Sequence, residues 1–204
     1  MLIELVQNNP DQREINRIVD MLNAGAVIVV PTDTIYAFAA SLKSKKGLKR
    51  LAKFKEVKLN QSEFSLICDD LSEISTYTKP IERSVFKLLK KTLPGPFTYI
   101  LEASNYVAKL FGTNKKEVGI RVPDHNITRE IVKYLQHPLV SSSVHDEDEI
   151  IKYTTDPKTI FEKHENEVDA VIDCGYGKNV ASTVVDCRGG DVNILRQGAG
   201  ILSI

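Results

Sequence analysis

The sequence predicts a single α/β domain over residues 1–204, built on a mixed β-sheet. Short apolar runs rich in β-branched residues alternate with segments whose apolar residues follow the helical period. No internal repeat and no low-complexity linker divides the 204 residues, a length that one domain can fill. Only CRGGD separates the last two predicted strands, which is too short for a crossover, so we expect these strands to pair antiparallel.

The first half of the chain supplies helices with clear start signals. Asp11 caps the first predicted helix, whose apolar residues recur every three or four positions until Gly25 ends it. Ser44 caps the second helix, which carries its apolar residues on one side. The predicted strands here are 2–6, 27–30 and 64–68, and two further helices are predicted at 70–77 and 81–91.

The second half of the chain contains more strands than helices. Pro94-Gly95-Pro96 excludes a helix and sets a rigid turn before the next strand. Asp156-Pro157 is a favourable helix start, because proline suits the first helical turn. Strands are predicted at 97–101, 118–122, 139–142, 168–172, 183–186 and 192–195, and a helix at 128–135.

The composition is that of a soluble globular protein, with 42% hydrophobic residues, 26% charged residues and a net charge of +0. No apolar run reaches the roughly 18 residues that a membrane helix needs. The N-terminal MLIELVQNNPDQ has neither a basic region nor a long apolar stretch, as a secretory signal would. We therefore expect a cytoplasmic protein with no membrane partner.

The cysteines and histidines show no metal-binding or disulfide pattern. The three cysteines form no CxxC pair and the four histidines form no HExxH motif, so we expect neither a disulfide framework nor a metal held by the protein. These residues are Cys68, Cys174, Cys187, His125, His137, His145 and His164. Cys68 is more typical of a small buried apolar residue than of a reactive thiol.

The charge is unevenly distributed along the chain. Residues 43–58 contain eight basic side chains and one acidic one, whereas 145–149 read HDEDE. The basic run has two interpretations: the solvated outer face of an amphipathic helix, or a rim that attracts the phosphates of ATP or RNA. His145 with Asp146 likewise fits an acid–base pair or, more simply, an exposed loop.

Several predicted strands end in hydroxyl groups or an arginine. Such residues suit carboxylate and phosphate ligands, which in α/β sheets bind where strand ends converge. The segments are Thr32-Asp33-Thr34, 94–98, Arg121, 141–143, Ser182-Thr183 and Arg196. The threonines could also form only a local turn, and the arginines only surface ion pairs. Because there is no P-loop, GxGxxG or Ser/His/Asp pattern, we assign no catalytic residue and expect positioning and charge neutralisation instead.

Six motifs occur in the order found in one known family. They are VVPTDTIYAF, LPGPFTYIL, GIRVPDH, PLVSSS, STVVD and ILRQGAG. Over roughly residues 10–200 the chain resembles the YrdC/YciO-type threonylcarbamoyl-AMP synthase family. The resemblance implies a twisted mixed sheet with helices around a large cleft. It also implies that ATP, bicarbonate and L-threonine are converted to threonylcarbamoyl-adenylate and pyrophosphate, with Mg²⁺ on the nucleotide phosphates, for modification of adenosine 37 in tRNA.

The resemblance also assigns binding roles to residues of this chain. On the threonine side it implies Thr32, Thr34, Arg121, Ser143 and Ser182, with Arg121 holding the carboxylate. On the nucleotide side it implies Lys55, His145 and Arg196. Pro94-Gly95-Pro96 would form a wall of the cleft.

Three departures from the synthase pattern place the chain nearer the YciO-like branch. Lys-x-Arg is replaced by Lys55-Glu56-Val57, Ser-x-Asn by Ser143-Val144-His145, and a histidine by Cys68. Each lost charge-assisted contact lowers affinity roughly tenfold to a hundredfold. The alternative function is therefore a non-catalytic member that binds tRNA or double-stranded RNA. A third is hydrolysis or transfer on a related carbamoyl or adenylate compound.

Overall fold

Ten strands form one mixed sheet in the computed structural model, which describes residues 1–54, 56, 64–111, 116–145 and 154–202. The strands are β1 (Leu2–Glu4), β2 (Val27–Val30), β3 (Ala37–Ser41), β4 (Ser65–Ile67), β5 (Phe97–Glu102), β6 (Glu117–Arg121), β7 (Leu139–Ser143), β8 (Ala170–Asp173), β9 (Thr183–Asp186) and β10 (Asn193–Arg196). Their order across the sheet is β1-β8-β2-β3-β7-β4-β6-β5-β9-β10. The predicted α/β domain with a twisted mixed sheet is confirmed.

Seven α-helices are present in the described residues. They are α1 (Gln12–Asn23), α2 (Lys45–Phe54), α3 (Ile74–Tyr77), α4 (Arg83–Thr92), α5 (Asn105–Leu110), α6 (Asn126–Leu135) and α7 (Pro157–His164). The predicted caps are confirmed: Asp11 accepts a hydrogen bond from Arg13 N at 2.8 Å, and Ser44 accepts one from Gly47 N at 3.1 Å. None of the described helices is both long and apolar enough to cross a bilayer.

Two apolar layers cover the sheet, one on each face. One layer joins strand residues such as Val27, Phe38 and Leu66 to the inner faces of α2, α4, α5 and α7. The other joins Ile28 and Ala39 to the inner faces of α1 and α6. The two sets alternate along each strand, as the two-residue period of a pleated strand requires.

Among the described residues, the helices that pack on the second face cover only one half of the sheet. Its apolar layer reaches β7 and β4. Beyond them, Val118 and Ile120 point into the opposite layer, so Gly119 and Arg121 on the same strand must point to the uncovered side. Ser65 pairs with Gly119 on this side, which also presents Thr98 together with the apolar Ile100 and Val184. We call this surface the polar sheet face.

Several boundaries differ from the sequence prediction. The strand β3 was not predicted, because AFAAS has a weak strand propensity; it forms since β2 and β7 pair with both of its edges. The predicted helix at 70–77 is wrong in its first half, where Asp70 Oδ1 instead accepts a bond from Ser72 N at 2.7 Å and forms a turn. The helix α5 was missed. The predicted hairpin of β9 and β10 is confirmed.

Candidate functional site

The turn that follows β2 is held both by its own hydroxyls and by other elements. Thr32 Oγ1 donates to Ile35 O at 2.6 Å and accepts from Thr34 N at 3.1 Å. Lys178 N donates to Thr34 O at 2.9 Å, and Thr128 Oγ1 of α6 donates to Pro31 O. Residues 32–34 thus form the local turn that the sequence allowed. The turn is also bonded to α6 and to the backbone of Lys178.

Arg121 at the end of β6 connects to this turn. Its Nη2 donates to Thr34 Oγ1 at 2.9 Å and lies 3.4 Å from Asp33 Oδ1. The side chains of Arg121 and Asp33 are only 7% and 8% exposed, so this is a buried ion pair and not a surface one. The strands β2 and β6 are four steps apart in the sheet.

The buried pair is incompletely satisfied. Burial raises the pKa of Asp33 despite the attraction of Arg121, and burial lowers the pKa of the Arg121 guanidinium. Within the described part of the chain, Arg121 Nε and Asp33 Oδ2 have no hydrogen-bond partner. A buried charge is stable only when it is paired and hydrogen-bonded. The arrangement therefore suits a charged ligand that completes both groups.

A second cluster lies on the polar sheet face. Ser182 Oγ lies 2.8 Å from Thr98 Oγ1, and Arg196 Nη2 donates to Ser182 O at 2.9 Å. Arg196 is close enough to Arg121 that its charge lowers the pKa of Arg121 further. Two guanidinium groups near each other on one face favour anionic ligands.

Because position 198 is glycine, the backbone of the ILRQGAG motif can approach this cluster closely. A Cβ atom at Gly198 would lie 2.2 Å from Ala181 O. Gly198 N donates to Thr183 Oγ1 at 2.9 Å, and that hydroxyl donates to Gly200 O at 2.6 Å. These bonds fix the backbone next to Arg196 and so position its guanidinium over Ser182.

A cleft of about 370 Å³ opens beside the turn. Pro94, Gly95 and Pro96 line one side of it, as the resemblance implied. The remaining lining residues are Gln7, Pro31, Thr32, Asp33, Tyr36, Thr92, Asp124, His125, Cys174, Tyr176, Gly177 and Lys178. Asp33 lines this cleft and also pairs with Arg121, whereas Arg121 itself is not among the lining residues.

Three residues assigned by the resemblance are not joined to these clusters by a described contact. Ser143 is half-buried at the end of β7, where it pairs with Ala37, and His145 is exposed two residues later. Lys55 and Asp146 lie outside the described residues. Their roles stay predictions.

A buried histidine in the cleft wall was not assigned a role from the sequence. Cys174 Sγ lies 3.5 Å from His125 Nε2 and 3.7 Å from Tyr36 Oη, and Tyr36 Oη donates to Gly175 O at 2.7 Å. Burial lowers the pKa of His125 to about 4. Cys174 is 49 residues from His125 in the chain, so no local pattern could have indicated this contact.

The described side chains offer no donor set for a magnesium ion held by the protein. Among the residues that the structure describes, no three His, Cys, Asp or Glu side chains come together as metal ligands. We therefore derive no step through a metal bound by protein side chains.

The fold and these clusters define an α/β protein with a cleft suited to a charged small molecule. The Sua5/YciO/YrdC family model, described as telomere recombination, matches residues 20–198, and the chain belongs to this family.

Two bacterial relatives match nearly the whole chain. An uncharacterized protein of Haemophilus influenzae is 35% identical over 94% of this chain and 92% of its own length. The uncharacterized protein YciO of Escherichia coli is 33% identical over 95% of this chain and 93% of its own length. Human threonylcarbamoyl-AMP synthase is 29% identical over 89% of this chain and 66% of the human protein.

Solved structures agree with the fold. The crystal structure of E. coli YciO superposes with a TM-score of 0.88 at 31% identity, and the match covers 98% of this chain and 97% of YciO. P. abyssi Sua5 in complex with L-threonine superposes with a TM-score of 0.85 at 22% identity, covering 97% of this chain and 57% of Sua5. At 22% identity, the similarity to Sua5 shows a shared fold and no more.

Proposed function

We propose that the chain makes threonylcarbamoyl-adenylate from ATP, bicarbonate and L-threonine, with release of pyrophosphate. The observation that carries this proposal is the buried Arg121, whose Nε has no partner among the described residues although it lies beside Thr34 and Asp33. A planar guanidinium with a free N–H is suited to a carboxylate. Family members include threonylcarbamoyl-AMP synthases, and one relative with this fold was solved with L-threonine.

The threonine end of the site is the turn after β2. Arg121 binds the carboxylate, while Thr32 and Thr34 hold the turn in place through their hydroxyls. Because Thr34 Oγ1 accepts one N–H of Arg121 at 2.9 Å, the guanidinium keeps a fixed orientation toward the ligand. Ser143 and Ser182 complete this end as the resemblance predicts.

The nucleotide end is the cluster on the polar sheet face. Arg196 binds the phosphates, held in position by its bonds to Ser182 O. Lys55 and His145 add contacts in this proposal, and Mg²⁺ enters on the ATP phosphates. Because the synthase arginine and asparagine are replaced by Val57 and His145, we expect weaker ATP binding than in a synthase that keeps both.

The chemistry proceeds by positioning. The threonine ammonium first loses a proton, and its nitrogen then forms a bond to the carbon of bicarbonate while a C–O bond of bicarbonate breaks and water leaves. An oxygen of the resulting carbamate attacks the α-phosphorus of ATP, and the bond from that phosphorus to the bridging oxygen breaks to release pyrophosphate. No protein nucleophile is required. The two arginines neutralise charge on the reactants, and the fixed geometry replaces encounters in solution.

Product formation from labelled bicarbonate tests the proposal. The purified protein, incubated with ATP, Mg²⁺, L-threonine and labelled bicarbonate, should yield labelled threonylcarbamoyl-adenylate and pyrophosphate. Arg121→Ala should abolish the product. Arg188→Ala is the matched control, because Arg188 is a half-exposed arginine that pairs with Asp186 and Glu117 away from the cleft.

An RNA-binding function is the second candidate, favoured by the outer face of α2. Lys45, Lys46, Lys49 and Lys53 are all exposed there, and Lys43 is exposed just before the helix. A gel-shift titration with tRNA and double-stranded RNA tests it. Binding through phosphates must weaken as salt rises, and Lys45→Glu with Lys49→Glu should weaken it further. A shift that is absent or independent of salt contradicts this function.

A further inference from the structure

Two side chains of the cleft wall carry buried, unpaired polar atoms. Within the described residues, Asp33 Oδ2 and His125 Nδ1 have no hydrogen-bond partner. The Asp33 side chain is 8% exposed and His125 is 6% exposed, and both line the same cleft. Buried polar atoms are seldom left unpaired, because each costs free energy comparable to a lost hydrogen bond. Whether each of these atoms is a donor or an acceptor therefore indicates which ligand group would pair with it.

The hydrogen-bond chain behind His125 favours one tautomer of its ring. Tyr36 Oη has one hydrogen, and it is donated to Gly175 O at 2.7 Å. The longer contact of 3.7 Å between Tyr36 Oη and Cys174 Sγ is then assigned to the thiol hydrogen. Since that hydrogen is used, Cys174 Sγ accepts from His125 Nε2–H. Burial keeps the imidazole neutral by lowering its pKa to about 4. His125 Nδ1 is thus a bare acceptor.

Asp33 presents an acceptor of the same kind. Arg121 Nη2 lies 3.4 Å from Asp33 Oδ1, whereas Asp33 Oδ2 has no hydrogen-bond partner among the described residues. The described groups around this carboxylate are the cations Arg121 and Lys178 and the backbone amide of Asp124. Burial has the largest effect and raises the pKa of the Asp33 carboxyl, whereas these groups act in the opposite direction. A further cation beside Oδ2 would therefore stabilise the ionised form that burial disfavours.

We propose that Asp33 and His125 together bind the α-ammonium group of the amino-acid substrate. Asp33 and His125 line the same cleft, and a primary ammonium has three N–H bonds with which it can donate to both unpaired acceptors. In an α-amino acid the ammonium and the carboxylate are attached to the same carbon. Their partners must therefore be adjacent, as Asp33 and Arg121 are. This inference rests on the proposed function, in which Arg121 binds the carboxylate.

Calorimetric titration with two ligands tests the inference on the unmodified protein. The ligands are L-threonine and its 2-hydroxy analogue, 2,3-dihydroxybutanoate, which has the same carbon skeleton but no amine. The wild-type protein should bind L-threonine about tenfold to a hundredfold more tightly, the range of one charge-assisted contact. Equal affinity for both ligands overturns the inference without any variant.

Variants then assign the discrimination to residues. Asp33→Asn should remove most of the preference for the amine, measured as the ratio of the affinities for the two ligands, because a change at Arg121 affects the carboxylate of both alike. Asp124→Asn is the matched control, because Asp124 is an exposed carboxylate that lines the same cleft. If Asp124→Asn removes the preference and Asp33→Asn keeps it, the assignment to Asp33 is wrong.

A pair of histidine variants separates the two ring nitrogens. His125→Gln places an amide near the position of Nε2 and removes the Nδ1 acceptor, so it should lose part of the amine preference. His125→Asn keeps an atom near Nδ1 and should retain more of that preference. A preference equal to wild type in His125→Gln overturns the role of Nδ1.

The inference and the proposed function can fail separately. A protein that prefers L-threonine through Asp33 but forms no threonylcarbamoyl-adenylate supports the inference and contradicts the proposed reaction. A protein that forms the product with Asp33→Asn at the wild-type affinity for threonine contradicts the inference alone. Failure to bind L-threonine at all contradicts both.

Discussion

Arg121 Nη2 donates a hydrogen bond of 2.9 Å to Thr34 Oγ1, although the two residues are 87 positions apart in the chain. The bond joins the end of β6 to the turn after β2 and brings Asp33 beside the same guanidinium. The motif PTDT and the motif GIRVP thus form one structural unit. Because all three side chains are buried or nearly so, the unit contributes to the stability of the fold as well as to the candidate site.

Replacing Thr34 by valine should destabilise the protein. Valine keeps the shape of threonine but removes the acceptor for Arg121, which leaves a buried N–H of a charged group with fewer partners. We expect the free energy of unfolding to fall by about 1.5–3 kcal/mol, measured by urea denaturation. Thr76→Val is the control, because Thr76 is exposed on α3, and it should change stability by less than about 0.5 kcal/mol. Equal stability of the two variants would contradict the burial argument.

Replacing Arg196 by alanine should weaken nucleotide binding selectively. Arg196 lies on the polar sheet face with its guanidinium on Ser182 O. Loss of one charge-assisted contact predicts about a tenfold to hundredfold lower affinity for ATP, with threonine affinity unchanged within about twofold. Calorimetry with each ligand measures both. Arg188→Ala is the control and should leave both affinities as in the wild type. Wild-type ATP affinity in Arg196→Ala would mean that the phosphates bind elsewhere.

Replacing Gly198 by alanine should disturb the same cluster through the backbone. The new Cβ would lie 2.2 Å from Ala181 O, a contact that the chain can relieve only by moving. We expect a loss of about 1–3 kcal/mol in stability, together with weaker ATP binding because Arg196 is displaced. Thermal unfolding and an ATP titration measure the two effects. An unchanged midpoint and unchanged affinity would mean that this close approach does not exist in solution.

Stability should decrease as the pH falls from about 6.5 to about 4. Burial lowers the pKa of both His125 and His137 in the folded protein from 6.5 to about 4. Between these values the unfolded chain binds protons that the folded protein does not, so acid favours unfolding. Each histidine contributes a slope of no more than about 1.4 kcal/mol per pH unit.

Histidine variants test the source of this pH dependence. The urea midpoints at pH 7 and pH 5 should differ less in His125→Gln and in His137→Gln than in the wild type. If both variants keep the wild-type difference, other groups cause the acid sensitivity.

The sequence predicted the fold well where local signals were strong. Asp11, Ser44 and Asp156 each cap a helix as expected, since capping depends on the adjacent backbone alone. The strand β3 was missed, because Ala37–Ser41 owes its extended form to pairing with strands on both sides. The helix at 70–77 was predicted too long, because the hydrogen bond from Ser72 N to Asp70 Oδ1 stabilises a turn there instead of a helical start.

Part of the candidate site was chosen from motifs in the sequence. Thr34 and Arg121 were chosen from the motifs, and the structure places them in contact. The acceptor role of Asp33 was not foreseen, because it follows from burial beside Arg121, which no local pattern reveals. The contact of His125 with Cys174 likewise arises only when β8 and the start of α6 come together.

The measurement that tests the central claim most directly is the synthesis assay with labelled bicarbonate. Wild-type protein with ATP, Mg²⁺ and L-threonine should give labelled threonylcarbamoyl-adenylate and an equal amount of pyrophosphate. Arg121→Ala should give neither, and Arg188→Ala should match the wild type. A folded wild-type protein that binds ATP and L-threonine yet forms no labelled adenylate would contradict the account.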